Sequence, residues 1–266
     1  MKILNYTEFI LEKKSDDENL KDQLLDYLKG KNYEDYVEAL EDMMKDPKLR
    51  NLVEAGFDGT IGDLKLSFSE KVIPAANLNP TQNEIGLTQS LDYGLENPES
   101  FTIYFSPYAQ IKFPIITLNG KYVIDGHHRW SQIFCFNPDA KVVCLDFKAN
   151  ISPYDMLKIT QGSIAATTGE VQSISKQGEN LYDMSESAIR KHIEKKLTEP
   201  VFLAFKTHDG KTFVNREDVV DYLTNNCQKL VKEHPLLKGA PNRGYMPQTS
   251  PEPLTNMKKN KMTYIP

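Results

Sequence analysis

The chain has 266 residues, 39% of them hydrophobic and 26% charged, so it can bury a core and is neither a stapled mini-protein nor a disordered chain. Its net charge of −5 excludes a uniformly cationic nucleic-acid coat. Three widely spaced cysteines (Cys135, Cys144 and Cys227) exclude a disulfide framework and a Cys-x-x-Cys zinc module, and they predict a reducing compartment.

The charge is distributed unevenly along the chain. Residues 225–266 contain seven basic and two acidic residues, a net +5, so residues 1–224 carry −10. No run approaches the roughly 20 apolar residues that a membrane-spanning helix needs, and residues 3–11 lack the continuous apolar stretch of a signal peptide. We therefore expect a protein that is neither secreted nor held in a membrane.

The first sixty residues predict a short amphipathic segment, a charged linker and then helices. Residues 1–19 comprise the first two, and residues 20–60 read as a helical region. Within it, apolar residues at helical spacing predict helices over 24–28 and 33–44, with Gly30 as a C-cap between them, and a short helix over 48–55.

A mixed α/β domain is predicted over residues 61–150. Residues 101–105 and 113–118 resemble strands, and Asn119-Gly120 is a strong hairpin signal before a strand over 121–124. A helix follows from Asp125-Gly126 to about residue 136, where Asn137-Pro138 ends it. Residues 141–147 read as a buried strand, which makes the fold class α+β.

The remainder of the chain reads as mainly helical over 151–234. We predict helices over 153–159 and 185–197, a small hairpin over 201–213, and a helix that Asn215 caps and that runs to about residue 232. Residues 235–266 hold six prolines and little periodicity, which predicts a Pro-rich, basic tail that is extended or disordered.

The segment Asp125-Gly126-His127-His128-Arg129 concentrates chemically able groups where a strand enters a helix. Helix N-termini bind phosphate through free backbone N–H groups, and glycine lets a ligand approach the backbone. The arginine could clamp a phosphate, the histidines could move protons near neutral pH, and the aspartate could hold a divalent metal. A purely structural interpretation also stands, in which Asp125 caps the helix and the histidines belong to the fold.

Residues 123–130 resemble the signature of the ParB/sulfiredoxin superfamily, in which a strand leads through a Gly-x-x-Arg turn into a helix. Two upstream segments resemble further conserved boxes of that family: Val72-Ile73-Pro74 with Asn79-Pro80-Thr81-Gln82, and Phe113-Pro114-Ile115-Ile116. The three boxes cover about residues 70–147 in the family's order. The resemblance implies a ParB/sulfiredoxin-like core flanked by N- and C-terminal helical regions.

The resemblance also separates branches of the superfamily. His127 occupies the position of the sulfiredoxin cysteine, so sulfiredoxin chemistry is not expected. The His127-His128 pair replaces the Glu-Arg of the partition proteins, which disfavours CTP. The form Asp-Gly-His-His-Arg is closest to free-serine kinases and ParB-like nucleases, and Glu84 matches the glutamate that acts near the transferred phosphate in the kinase branch. The alternative for Glu84 is a first-turn helix charge.

The resemblance implies a set of site residues for phosphoryl chemistry with a nucleotide, ATP or ADP, and Mg²⁺. The expected catalytic residues are Glu84, Asp125, His127 and His128. The expected phosphate-binding residues are Gln82, Gly126, His128 and Arg129. Asp125 is also the expected metal ligand. The acidic body favours a small nucleotide over a long polyanion.

The N-terminus is similar to the capsid-targeting peptides of internal proteins in large tailed phages. Tyr6-x-Glu8-Phe9-Ile10-x-Glu12 fits their pattern, which a prohead protease cleaves after the glutamate, so Glu12 is a candidate processing site. This resemblance implies a phage protein located in the host cytoplasm or inside the virion. An ordinary amphipathic helix is the alternative.

Three functions remain open at this level. The first, which we favour, is an enzyme of phosphoryl chemistry, either a kinase-like phosphotransferase or a ParB-like nuclease. The second is a non-catalytic DNA-binding partition module that reads DNA through residues 185–232, with the basic tail adding charge. The third is a structural internal virion protein.

Overall fold

The computed structural model describes residues 28, 30–55, 66–171 and 178–259. In chain order its α-helices and β-strands are α1 (Tyr33–Lys45), α2 (Pro47–Ala55), β1 (Ser67–Pro74), α3 (Leu87–Glu96), α4 (Phe101–Tyr104), β2 (Ile115–Leu118), β3 (Tyr122–Asp125), α5 (His127–Phe136), β4 (Lys141–Lys148), α6 (Pro153–Thr168), α7 (Glu186–Lys196), α8 (Glu199–His208), α9 (Arg216–Glu233) and α10 (Pro251–Lys258). The fold is α+β, as the sequence predicts. None of the described helices combines the length and apolar content of a membrane span.

The chain divides into two compact units. The helical unit draws on Met1–Ser67, Ala149–Ile174 and Tyr245–Pro266, and it contains α1, α2, α6 and α10. The α/β unit consists of Phe68–Lys148 and Ser175–Gly244. The predicted region 151–234 is therefore split: α6 belongs to the helical unit, and α7 to α9 belong to the α/β unit.

The helical unit is organised around α6, which packs against α1, α2 and α10. Ser152 caps the N-terminus of α6 by accepting a hydrogen bond from the Asp155 N–H, and Gly169 ends the helix with a φ of +79°. The helix extends nine residues beyond the predicted end at 159. The apolar periodicity fades there because the buried positions include polar residues, Thr160, Gln161 and Ser163.

The α/β unit contains a four-stranded mixed sheet in the order β1-β4-β2-β3. Strands β2 and β3 are antiparallel and joined by the predicted Asn119-Gly120 turn, in which both residues have positive φ, 56° and 64°. Strand β2 also pairs in parallel with β4, from Ile115 opposite Cys144 to Leu118 opposite Phe147. All four residues of β2 are buried, as a central strand requires.

Helix α5 connects this sheet to the helices of the same unit. It packs against β2, β3, α3 and α9, and α7 packs against α3 and α9. The resulting core is one hydrophobic cluster that includes Leu91, Trp130, Phe136, Ile189 and Leu230. Residues 178–233 therefore complete the core of the domain that was predicted to end at residue 150.

Two strand predictions were wrong. Residues 101–105 form α4 and its C-cap, and residues 201–205 lie inside α8. Aromatic residues favour strands in isolation, but Phe101 and Phe105 are four residues apart and stack on one helical face at 4.2 Å between ring centroids. Both rings also pack edge-on against Phe205 of α8, so tertiary packing overrides local propensity.

The predicted extended or disordered tail is also partly ordered. Pro251–Lys258 forms α10, so the prediction was wrong there, and Arg243 is buried in the α/β unit. The prolines do not prevent order because two of them, Pro251 and Pro253, occupy the first turn of α10, where a missing N–H costs nothing. The predicted N-terminal segment 1–19 lies outside the described residues.

Candidate functional site

The turn at Gly126 lies at the start of a helix, as predicted. Gly126 is the N-cap of α5 and has a φ of +95°, a left-handed conformation that favours glycine. A Cβ on this residue would also lie 2.9 Å from Nη2 of Arg129. The space beside Gly126 that was expected to admit a ligand is therefore filled by an arginine from the first turn of its own helix.

Arg129 is held by the fold rather than left open to an anion. Its Nη1 donates hydrogen bonds to the carbonyl oxygens of Phe113 and Pro114, the latter at 3.0 Å, and its Nη2 lies 3.5 Å from Oδ1 of Asp125. These contacts tie the start of α5 to the segment that enters β2. Asp125 makes its ion pair here and does not cap the helix, since Gly126 is the N-cap.

His127 is buried and points away from solvent. Its Nε2 accepts a hydrogen bond from the Thr81 N–H at 3.0 Å, and the Thr81 hydroxyl donates to the Val123 carbonyl at 2.6 Å. Burial, followed by the charges of His128 and Arg129, lowers the pKa of His127 well below its usual range. The neutral ring therefore ties the Thr81 segment to the start of α5, in a position that favours the structural interpretation.

His128 reaches a second helix start. Its Nε2 accepts a hydrogen bond from the N–H of Gly86, the N-cap of α3, at 3.4 Å. Burial and the nearby charge of Arg243 lower the pKa of His128 to about 4, so the ring is neutral at pH 7. The N-termini of α3 and α5 are thus linked by one imidazole.

Glu84 precedes α3 and is not a first-turn helix charge. Its side chain is buried, and Oε1 accepts a hydrogen bond from the Gly178 N–H at 3.1 Å. The same oxygen lies 3.1 Å from Nη1 of Arg243. The predicted neighbour Gln82 is also buried and donates from its side-chain amide to the Glu84 carbonyl oxygen. His128 therefore contacts the start of α3 directly, whereas Glu84 contacts Gly178 and Arg243.

The predicted residues fall into two groups. Gln82, Glu84 and His128 gather around the start of α3, whereas Asp125, His127 and Arg129 make contacts that hold the Gly126 turn in place. Among the described residues, no group of three or more His, Cys, Asp or Glu side chains is arranged to hold a metal ion. Asp125, the predicted metal ligand, therefore belongs to no such group of described residues. Glu12 lies outside the described residues.

Sequence reasoning missed Arg243. It lies in the segment predicted to be a tail, within Asn242-Arg243-Gly244, where no periodicity or motif marks it. The backbone places it: the Asn83 N–H donates to the Pro241 carbonyl at 2.9 Å, which lays this segment along the Gln82–Gly86 stretch. Only a tertiary contact between residues more than 150 positions apart identifies it.

Comparison with known proteins returned no matching family model, no similar curated protein and no similar solved structure. The resemblance to the ParB/sulfiredoxin superfamily therefore remains a hypothesis carried by the three sequence boxes.

Proposed function

We propose that this protein is an enzyme of phosphoryl chemistry that binds a nucleotide at the start of α3, in the manner of a ParB/sulfiredoxin-like phosphotransferase or nuclease. The observation that supports this most is the arrangement at the start of α3, where a neutral imidazole, His128, accepts from the Gly86 N–H and a buried carboxylate, Glu84, pairs with Arg243. Nη1 of that arginine lies 3.6 Å from the point where a Cβ on Gly86 would be. Catalysis of phosphoryl transfer depends mainly on positioning and charge neutralisation, and a helix N-terminus beside a buried arginine supplies both.

The proposed reaction uses a hydroxyl acceptor, either an alcohol for a kinase or water for a hydrolase. Glu84 takes the proton of the acceptor hydroxyl while the hydroxyl oxygen forms a bond to the terminal phosphorus. The bond from phosphorus to the leaving nucleotide oxygen breaks. The proton then passes to solvent. His128, neutral and without a charge of its own, fixes the start of α3 by accepting a hydrogen bond from the Gly86 N–H.

A magnesium ion would reach this site with the nucleotide. Mg²⁺ is commonly bound by one or two carboxylates together with substrate phosphates, and it keeps several waters. Because the described residues contain no preformed cluster of acidic ligands, the nucleotide phosphates are the main ligands in this proposal. When bound, the ion neutralises charge that develops on the phosphate oxygens.

The charges of α7 disfavour the alternative of a DNA-reading module. Arg190 contacts Glu194 at 3.3 Å and also pairs with Glu217 and Asp221. Lys196 lies 3.1 Å from Asp92 and 2.7 Å from Glu96. Cations that already pair with carboxylates of their own chain are poorly placed to neutralise DNA phosphates.

The N-terminal resemblance supports one further proposal, on location. We infer that the protein is made in the cytoplasm of a bacterial host and packaged inside a phage particle. The support is the match of residues 6–12 to a capsid-targeting peptide. This inference is independent of the nucleotide site, and it has its own test below.

Thermal unfolding with a nucleotide panel tests the proposed function. ATP, ADP, CTP and GTP would be added singly, each with and without Mg²⁺. At one hundred times the dissociation constant, a ligand stabilises the folded state by about 2.7 kcal/mol, which raises the midpoint by about 5–10 °C. We expect this for ATP or ADP with Mg²⁺. No shift with any nucleotide, together with cleavage of DNA, would identify a nuclease instead, and the absence of both would refute the proposal.

A further inference from the structure

Arg243 is the only lysine or arginine among the described residues of the α/β unit that is buried, with 6% of its surface exposed. A buried guanidinium needs acceptors for its five N–H donors, because a charged donor without a partner is costly in a low-dielectric interior. Structural arginines therefore come with carboxylates and carbonyl groups placed around them, as Arg129 does.

The hydrogen bonding of Arg243 is incomplete. Nη1 pairs with Oε1 of Glu84 at 3.1 Å, but Nε is buried and has no hydrogen-bond partner among the described residues. Glu84 Oε1 is shared with the Gly178 N–H, so the pair is not the bidentate arrangement that arginine favours with carboxylates. The guanidinium thus has donor capacity that the described part of the chain does not use.

The guanidinium of Arg243 lies beside a helix N-terminus. Nη1 of Arg243 is 3.6 Å from the point where a Cβ on Gly86 would be, and Gly86 is the N-cap of α3. The Gln89 side-chain amide fills this space, because a Cβ on Gly86 would collide with it. A ligand on the arginine side of the turn therefore has to displace the end of this flexible side chain, whose Oε1 has no hydrogen-bond partner among the described residues. A buried arginine and the positive end of a ten-residue helix both favour an anion there.

We propose that Arg243, not Arg129, is the phosphate-binding cation of this protein, and that a phosphate group of the ligand replaces the Glu84 carboxylate as its partner. This rests on the proposed function for the identity of the ligand as a nucleotide. When phosphate replaces Glu84 as the partner of Arg243, the Glu84 carboxylate is left next to the bound phosphate and able to accept a proton, as the proposed reaction requires. The Glu84–Arg243 pair is the resting state of the site.

The backbone around Arg243 allows this exchange without unfolding the segment. The Asn83 N–H holds the Pro241 carbonyl at 2.9 Å, and the Gly244 N–H donates to the side-chain oxygen of Asn242 at 2.8 Å. The arginine is therefore positioned by contacts that do not involve Glu84. The side chains of Glu84 and Gln89 have to rotate for phosphate to enter.

The test is isothermal titration of the full chain with MgATP and, separately, with inorganic pyrophosphate. We expect Arg243→Gln to weaken the binding of both ligands by about 10-fold or more, since it removes a charge-assisted contact. Arg129→Gln should change either affinity by less than about 3-fold. Arg216→Gln is the matched control, because it breaks an exposed pair with Glu199 and removes the same charge. Glu84→Gln should strengthen pyrophosphate binding by removing the competing carboxylate.

The outcomes separate this inference from the proposed function. Loss of binding in Arg129→Gln with none in Arg243→Gln would overturn the inference and leave the nucleotide site standing. Pyrophosphate binding that needs Arg243, without any nucleotide binding, would support the inference and refute the proposed function. Failure of the wild type to bind either ligand would refute both. If Arg243→Gln does not fold, Arg243→Lys keeps the charge but loses the planar fork, and we expect it to weaken binding at least 3-fold while Arg129→Lys does not. Unchanged binding in Arg243→Lys would count against the inference.

Discussion

At the scale of single residues, the Gly126 turn shows that the space of a motif typical of ligand binding can be filled by a side chain of the same helix, here that of Arg129. The backbone conformation and the guanidinium of Arg129 both require the absence of a side chain at this position. Arg129 in turn satisfies two carbonyl oxygens and the Asp125 carboxylate. The glycine and the arginine therefore form one structural device.

Replacing Gly126 with alanine tests that device. A left-handed conformation costs a non-glycine residue about 1–2 kcal/mol, and in Gly126→Ala the displaced Arg129 side chain should add at least about 1 kcal/mol. Gly239→Ala is the matched control, because Gly239 has a φ of +78° and nothing within 4 Å of its Cβ position. Urea unfolding measures both. In an Arg129→Ala background the cost of Gly126→Ala should fall to the Gly239 value; an unchanged cost would show that backbone strain alone is responsible.

Trp130 is expected to contribute to stability and not to chemistry. Its side chain is fully buried, and Nε1 donates to the Ala75 carbonyl at 2.9 Å. Trp130→Ala should cost about 3–5 kcal/mol of unfolding free energy. Trp130→Phe keeps a large ring but leaves that carbonyl without its donor, so it should cost less, about 1–3 kcal/mol. Because this is the only tryptophan, unfolding should be followed by circular dichroism. Equal costs for both variants would contradict this.

At the scale of secondary structure, boundaries with local chemical signals were predicted well. The helix over 33–44 and the α9 start at Asn215 each have an asparagine N-cap whose side chain accepts a backbone N–H. The Asn119-Gly120 hairpin has two residues that tolerate the positive φ that its turn requires. The strand predictions over 101–105 and 201–205 rested only on β-branched and aromatic composition. That composition serves equally on a helix face when a partner packs against it.

The N-terminal segment carries a prediction at this scale. Residues 1–12 should be dispensable for folding and for nucleotide binding, because a short isolated helix is marginal in water and the predicted helices begin near residue 24. Mass spectrometry of protein taken from phage particles should find a chain that begins at Lys13, after cleavage at Glu12. An intact Met1 in particles, or loss of folding when residues 1–12 are deleted, would show that the segment belongs to the folded domain.

At the scale of the whole molecule, three histidines of the α/β unit are held in neutral form, His127 and His234 buried and His128 partly buried. The pKa of His127 and that of His234 are lowered chiefly by burial, and the pKa of His128 is lowered to about 4 by burial and by Arg243. The ring of His234 lies against the rings of Trp130 and Phe134, at 5.6 and 4.9 Å between centroids. Below about pH 6.5 these three histidines therefore bind protons in the unfolded chain that they do not bind in the folded protein.

Acid should destabilise this unit in a window set by those shifts. The folded-state pKa values lie below the unfolded value of about 6.5, so the stabilisation is complete above pH 6.5 and is lost as pH falls toward the folded values. Each histidine contributes a slope of up to about 1.4 kcal/mol per pH unit. Urea unfolding between pH 7 and pH 5 measures the sum. His234→Phe should reduce the slope by at most one proton, and an unchanged slope would show that His234 takes up no proton on unfolding.

The sequence by itself determined the fold class, most helix and strand positions and the place of the Gly126 turn at the start of a helix, because caps, turns and apolar spacing act over a few residues. Only the tertiary structure assigned Gln82, Glu84 and His128 to one cluster and Asp125, His127 and Arg129 to another. It also brought Arg243 to Glu84 and made residues 178–233 part of the α/β core. Such pairings depend on how distant segments pack. The packing decides which hydrogen-bond acceptors lie near a side chain, and those acceptors decide its role.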